Sequence, residues 1–538
     1  MAAMENEVCG ALRVEPAVAP AITDLVERHA RENPDRMAFS FEGVTTTFAE
    51  QRAIVERTAT ALLAQGVQEG DRIVYLGKNI DRYFFLLFAA ARIGAVMVPV
   101  GWRLAPAEIA YVANDADAVL FFTDGPLFET AMALHPQLPT VRQVIPLEPV
   151  EGQQDFAAWI AASADLPVAP STDRADRAFL QLYTSGTTGR PKGVILNARN
   201  LFQIRLDCAR AKVDWDHWNG DDVALIAMPV AHIGGTGYGL MSLYHGAGGQ
   251  VKREFSPEIV LHAIRRERVS KLFIVPTALR IMIRHPDARQ TDYSRIRHIL
   301  YGASPMPLAL MREALEVIGA GLVQNYGMTE TAGTVVALDA ADHDPRGTER
   351  MKSAGRPLPG VELRIVDQAG AAQPVGTVGE IEVRSSANMM GYWKQPEATA
   401  KTLSADGWLR TGDAGYLDAD GYLFICDRIK DMICSGGENV YPAEVEAVLA
   451  EYPAVAEAAV IGVPDPVWGE AVKAVVVART GQAIDPGHLI AHCRVHLAGF
   501  KTPKSIDIVD ALPRNATGKV IKTELRAQYW QGYQRQVN

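Results

Sequence analysis

Strand-like and helix-like segments alternate along most of this chain, and that alternation constrains its fold more than any other feature. Thr47-Phe48-Ala49-Glu50 has capping-box spacing, and Ile54, Thr58, Ala61 and Leu62 then recur on one helical face until Gly66 supplies a stop. Arg72-Ile73-Val74-Tyr75-Leu76 reads as a strand, the run around 84–92 as a helix, and Ala95-Val96-Met97-Val98 as a strand again. Similar units recur around 223–228, 257–266, 271–275 and 296–301. Strand and helix in this order predict an α/β fold with a large N-terminal body of mostly parallel sheets.

The rhythm then changes twice. From about 360 to 416 short strands and turns predict a β-rich subdomain. Beyond Arg428 a smaller unit begins, with Pro442 placed to open a helix presenting Val445, Val448, Leu449 and Tyr452. Strand candidates at 458–462 and 474–477 follow, then a helix opened by Asp485-Pro486 with Leu489, Ile490, Cys493 and Leu497 on one face. This is the pattern of a small α+β C-terminal domain of roughly a hundred residues. A chain of 538 residues exceeds what one core usually organises, which fits more than one domain.

One loop carries chemistry in its composition. Leu182-Tyr183-Thr184-Ser185-Gly186-Thr187-Thr188-Gly189-Arg190-Pro191-Lys192-Gly193 lies between two apolar runs that read as short buried strands. Glycines let backbone N–H groups approach an anion, and the hydroxyls and Lys192 add donors and charge, so the turn reads as a phosphate cradle. It is not a Walker A loop, because Lys192 is followed by Gly193 and a strand instead of Ser/Thr and a helix.

Charge and cysteine usage narrow the partners. Fifty-three basic against 63 acidic residues give a net charge of -10, which argues against a generic nucleic-acid binder. Cys9, Cys208, Cys426, Cys434 and Cys493 are scattered without CxxC or zinc spacing, as expected of reduced thiols in a cytoplasmic protein. Glu5 and Glu7 precede the first basic residue, Arg13, so no signal or transit peptide is expected. The most apolar region, 83–102, is broken by Arg92, Gly94 and Pro99, which predicts a buried helix and strand and no membrane span.

Further polar segments follow in order: Tyr301-Gly302-Ala303-Ser304-Pro305, Asn325-Tyr326-Gly327-Met328-Thr329-Glu330, Gly407-Trp408-Leu409-Arg410-Thr411-Gly412-Asp413, Asp427-Arg428-Ile429-Lys430-Asp431, Ser435-Gly436-Gly437-Glu438-Asn439 and Pro513-Arg514-Asn515-Ala516-Thr517-Gly518-Lys519. Together with the loop, their order resembles the adenylate-forming superfamily of acyl-CoA synthetases, aryl-CoA ligases, luciferases and peptide-synthetase adenylation domains, over residues 25–526. The resemblance implies ATP and Mg²⁺, a carboxylic acid substrate and coenzyme A. It implies that Thr184, Ser185, Gly186, Thr187, Thr188, Gly189 and Lys192 surround the β- and γ-phosphates, that Glu330 holds Mg²⁺ and that Thr329 contacts the α-phosphate. Tyr326 would stack on adenine with Gly302 and Ala303 beneath it, flanked by Asn325 and Gly327, and Asp413 would accept both ribose hydroxyls with Arg428 nearby. Lys519 would bridge the substrate carboxylate and the α-phosphate, where a flexible point cation offsets repulsion between two anions.

The same resemblance implies two half-reactions in one site. A small domain would rotate about a hinge at Lys430, withdrawing Lys519 and presenting Gly436 and Gly437, whose lack of side chains lets a narrow pantetheine arm pass. The expected division is residues 1–428 for ATP and acid, 429–431 for the hinge and 432–538 for the lid. His232 matches a position beside the acyl carboxylate, and Ile233, Gly234, Gly235, Gly237, Tyr238 and Met328, with Ala303 and Asn325, are expected to set specificity. That uncharged set suits a hydrophobic acid of medium or greater length, or a coumarate-like aryl acid on which Tyr238 stacks. One rival stays open, an activator that loads a carrier protein; a silent nucleotide sensor would lack Lys519 or Glu330, and both are present. Association into a homodimer is left open.

Overall fold

Two large, mostly parallel sheets grow out of the alternating pattern. In the computed structural model, which describes residues 18–184, 190–304, 306–344, 346–436, 438–514 and 520–531, one sheet runs from edge to edge through Arg356–Pro357, Gly333–Leu338, Gly321–Met328, His298–Gly302, Lys271–Ile274, Val223–Ile226, Gly248–Val251, Met37–Phe41 and Val44–Thr47. The other runs through Gly391–Tyr392, Lys192–Asn197, Ala178–Thr184, Val96–Val100, Arg72–Leu76, Ala118–Thr123 and Val144–Pro146. Their interior pairs are parallel, and the antiparallel pairs gather toward the edges. The α/β body expected from the chain is the one found.

The helix Asp81–Arg92 explains the most apolar stretch of sequence. All its residues except Arg82 are buried, because it lies between the two sheets. Phe84 stacks on Phe39 of the first sheet at 4.9 Å, and the same core takes in Met97 and Leu180 of the second. A helix apolar all round is stable only where both faces are covered. Each large side chain so buried contributes about 1.5–3 kcal/mol. Among the described residues no helix is long and apolar enough to cross a membrane. Local signals also hold: Thr47 caps the helix Phe48–Ala64, with Glu50 N–H donating to its hydroxyl at 3.2 Å and its own N–H donating to the Glu50 carboxylate at 2.8 Å.

The β-rich stretch forms an antiparallel sheet of Glu362–Val366, Gly379–Arg384, Trp408–Leu417 and Leu423–Arg428. Beyond it the long pair Val455–Asp465 and Gly469–Ala478 carries helices Pro442–Ala450 and Pro486–His496 on a core of Val445, Leu449, Val460, Val472, Val476, Leu489 and Cys493. Asp485 caps the second helix through the His488 N–H at 2.7 Å. Glu457 of this unit meets Arg280 of the large body at 3.2 Å, and Asp427 accepts the Ala443 N–H at 2.7 Å. The four cysteines among the described residues are free thiols.

Candidate active site

Parallel strands deliver their carboxyl ends to one edge, where Gly302 and Asn325 stand. Gly302 pairs in register with Asn325, and a Cβ on Gly302 would stand 2.3 Å from the Asn325 carbonyl oxygen, so only glycine fits. Ala303 follows with φ of +67°, a left-handed conformation that costs an L-residue about 1 kcal/mol or more. The Asn325 side-chain oxygen is buried and has no hydrogen-bond partner among the described residues. Such an orphaned acceptor fits the exocyclic amino group of adenine.

Next to it the Tyr326 hydroxyl donates to Asp413 at 2.8 Å, and the Arg428 Nε donates to the other oxygen of the same carboxylate at 2.7 Å. Asp413 and Arg428 face one another across neighbouring antiparallel strands. Burial and then Asp413 raise the Tyr326 pKa, so the phenol keeps its proton. Burial alone would lower the Arg428 pKa, but Asp413 leads a set of anionic neighbours that raises it. A carboxylate has about four acceptor sites, so Asp413 retains one on each oxygen for two further donors.

Four residues after Tyr326, the turn Thr329–Thr331 presents Glu330, which is buried. One of its oxygens accepts from the Tyr392 hydroxyl at 3.0 Å and, at 3.4 Å, from Thr184. Thr184 and Lys192 pair in register at the mouth of the hairpin formed by Ala178–Thr184 and Lys192–Asn197. Ser185, Gly186, Thr187, Thr188 and Gly189 lie outside the described residues. Among the described residues Glu330 forms no salt bridge, Arg428 acting on it only from beyond ion-pair distance, and its hydrogen bonds all fall on one oxygen. A buried carboxylate left in that condition fits a hard divalent cation that takes its other ligands from phosphate and water. No group of three His, Cys, Asp or Glu side chains forms a metal cage among the described residues.

His232 begins the helix Ile233–His245, and its position is set from below. Asn79 donates to the Met228 carbonyl at 2.9 Å and accepts from the Val230 N–H at 2.9 Å, fixing the turn before His232. Tyr83 and Thr236 hold the first helical turn through hydroxyls 2.6 Å apart. Ile233, Gly234 and Met328 are half-buried, and Ile233 and Met328 border the main core. Two residues expected in the pocket are instead fixed by packing. A Cβ on Gly235 would stand 2.2 Å from the Pro229 carbonyl oxygen, so the close approach of helix to turn demands that glycine. Tyr238 is buried edge-on to Trp218, with ring centroids 5.6 Å apart, and sits 6.3 Å from Phe273. It belongs to the packed interior, so the wall on which an aryl acid was expected to stack is not an open face. At Gly237 an added Cβ would meet Ile233 at 3.4 Å.

Of the C-terminal residues, Lys519 and Gly437 lie outside the described residues, as does the Lys430 side chain. Lys430 belongs to the short turn Ile429–Asp431 that joins the two parts of the chain, and Asp431 is paired with Arg526. Arg514 and Val520, which flank the Lys519 segment, bridge to one another. Gly436 adopts φ of +63°, and a Cβ there would meet the Trp468 ring at 2.7 Å, so the turn itself requires this glycine. Tyr392 and Asn79 were not visible as site residues in the sequence. Gly391-Tyr392 sits in a run of ordinary strands and turns, and no spacing rule ties it to Glu330.

With this geometry in view, the likenesses to known proteins are specific. The family model described as AMP-binding enzyme matches residues 26–393, and the AMP-binding enzyme C-terminal domain matches residues 444–519. A fatty acid–[acyl-carrier-protein] ligase from Streptomyces coeruleorubidus is 41% identical over 525 residues, covering 96% of this chain and 99% of that protein. A feruloyl-CoA synthase from an Amycolatopsis species is 40% identical over 503 residues, covering 93% and 98%. The structure of an amide bond synthetase from Marinactinospora thermotolerans superposes with a TM-score of 0.84 at 33% identity, covering 95% of this chain and all of that one.

Proposed function

The chain belongs to the AMP-binding enzyme family, and on that premise we propose that it activates a hydrophobic carboxylic acid of medium or greater length with ATP and transfers the acyl group to coenzyme A. As an AMP-forming acid–thiol ligase it overcomes the inertness of a resonance-stabilised carboxylate by giving it a good leaving group. A substrate carboxylate oxygen bonds to the α-phosphorus while the bond to pyrophosphate breaks. The sulfur of coenzyme A then bonds to the acyl carbon, AMP departs with its electron pair, and the thiol proton passes to solvent. Neither step needs an enzyme nucleophile, so positioning and charge stabilisation carry the catalysis.

In this reading Asp413 takes the ribose hydroxyls, Tyr326 stacks on adenine above Gly302 and Ala303, and Asn325, Gly327 and Thr329 complete the nucleotide contacts. Residues 185–189 with Thr184 and Lys192 hold the outer phosphates, and Glu330 would hold Mg²⁺, which when bound would neutralise phosphate charge. Lys519 brings the two reacting anions together, and residues 432–538 turn about 429–431 between the half-reactions. His232, Ile233, Gly234 and Met328 contact the acid. The observation that carries the proposal is the buried Glu330 carboxylate, with no salt bridge among the described residues, beside the lysine-bearing hairpin.

The test separates the half-reactions. Lys519→Ala should lower acid-dependent pyrophosphate exchange about a hundredfold or more, the scale of losing a transition-state contact, while sparing thioester formation from supplied acyl-adenylate. Gly437→Trp should do the reverse. Equal loss of both steps in Lys519→Ala overturns the assignment. A second reading, delivery to a carrier protein, draws support from the 41% identity to a carrier-protein ligase. Measuring AMP release over aliphatic and aryl acids, with coenzyme A or with a phosphopantetheinylated carrier, decides between the two acceptors.

A further inference from the structure

Three things converge on Tyr392, a residue with no role in the chemistry above. Its hydroxyl donates to the buried Glu330 carboxylate at 3.0 Å. Its ring carries the Lys192 ammonium 4.7 Å from the centroid. And its strand, Gly391–Tyr392, is laced to both sides of the site. Met389 N–H donates to the Glu330 carbonyl at 2.8 Å, Met390 N–H to Ile195 at 3.0 Å, and Trp393 N–H to Gly193 at 2.7 Å, the residue after Lys192. Tyr392 therefore stands between a lysine and a carboxylate that do not pair with one another, and it touches both.

That arrangement has an electrostatic consequence. An ammonium and a carboxylate free to approach in a half-dry site attract strongly and quench each other. The Lys192 charge would then be spent on Glu330 and not on phosphate, and Glu330 would be spent on lysine and not on a cation. An aromatic ring accepts the cation on its face and a phenol satisfies the carboxylate at its edge, so one side chain holds the charges apart. We propose that Tyr392 is a positioning residue that keeps Lys192 and Glu330 separated, reserving the first for nucleotide phosphate and the second for the divalent cation. This rests on the ATP-dependent reading given above.

Because the hydroxyl and the ring have different tasks, two variants separate them. Tyr392→Phe keeps the spacer and loses the hydrogen bond to Glu330. Tyr392→Leu loses both. The readouts are equilibrium binding without acid, so no turnover occurs: Mn²⁺ affinity of the ATP-loaded protein by electron paramagnetic resonance, and metal-free ATP affinity by calorimetry. Tyr392→Phe should weaken Mn²⁺ about tenfold, the size of one hydrogen bond to a charged group, and leave metal-free ATP binding unchanged. Tyr392→Leu should weaken both, the ATP binding about fivefold as Lys192 turns to Glu330. In a Glu330→Gln background, Tyr392→Phe should add nothing to the loss of Mn²⁺ affinity. Unchanged metal-free ATP affinity in Tyr392→Leu, wild-type Mn²⁺ affinity in both variants, or a full further loss in the Glu330→Gln background, overturns the proposal. If the unaltered protein binds ATP and Mn²⁺ but never releases pyrophosphate with any acid, the functional reading fails while this separation of charges is still measured.

Discussion

Replacing Asp413 by alanine tests the nucleotide site at its best-defined contact. One oxygen of the carboxylate accepts from Tyr326 at 2.8 Å and the other from Arg428 at 2.7 Å, which leaves one acceptor site on each oxygen, where the proposed binding mode puts the 2′- and 3′-hydroxyls of ribose. A hydrogen bond to a charged acceptor contributes about 1.5–3 kcal/mol. Two would sum to about 3–6 kcal/mol, but paired bonds to one group are not additive, and the Arg428 side chain, 42% exposed, is rehydrated in the variant. A loss of about 3 kcal/mol, or roughly a hundredfold in AMP affinity, is the expected size. Calorimetry with AMP, 2′-deoxy-AMP and 3′-deoxy-AMP supplies the cycle. Each deoxy analogue should bind the unaltered protein about tenfold more weakly than AMP, and all three should bind Asp413→Ala alike. If the deoxy analogues lose as much on Asp413→Ala as on the unaltered protein, Asp413 does not hold the ribose. A melting curve of the variant guards against unfolding as the cause.

Other tests follow from packing and protonation. Gly302→Ala should lower the melting temperature, because its Cβ would lie 2.3 Å from the backbone oxygen of Asn325 and cost about 1–3 kcal/mol; a melting curve matching the unaltered protein would show that the two strands can part. His343 is buried, with Nε2 3.0 Å from the Tyr301 hydroxyl and Nδ1 2.8 Å from the Asp339 carbonyl oxygen, and burial lowers its pKa from the usual 6.5 despite that carbonyl. Below that value the unfolded chain takes up a proton that the folded chain refuses, so this contribution to stability is present above pH 6.5 and declines as pH falls through it. Melting temperatures between pH 7.5 and 5.5 should therefore fall less steeply in His343→Gln than in the unaltered protein, and parallel slopes would exclude His343 as the source.

How much of the site was legible depended on whether a residue acts through its own neighbours in sequence. The Thr47–Glu50 cap is a contact three residues long, and residue types alone specify it. The helix 81–92 shows in the apolar run from Tyr83 to Ala91, and Gly302 ends a strand in small residues. The loop 182–193 suggests a phosphate cradle by its composition, whereas the segments carrying Glu330, Asp413 and Lys519 are ordinary singly and stand out only through their order along the chain. Gly235 and Gly436 were also conspicuous, but as openings for ligands; the first is fixed by the Pro229 carbonyl and the second by its positive φ and Trp468. A glycine in a sequence announces a missing side chain without saying what occupies its place.

Short-range periodicity was enough to indicate the class of fold, and the motifs arranged along the chain carried the resemblance to the family. Only folding could decide which distant groups meet. Tyr392 lies 62 residues from Glu330, Asn79 reaches 151 residues to the turn before His232, and Asp413 joins Tyr326 across 87. Sheet registers and crossing strands create those pairs, and no local propensity encodes them. The physical reason is that charge and hydrogen bonding act through space over a few ångströms, whereas the chain specifies such proximity only through the packing of the whole core.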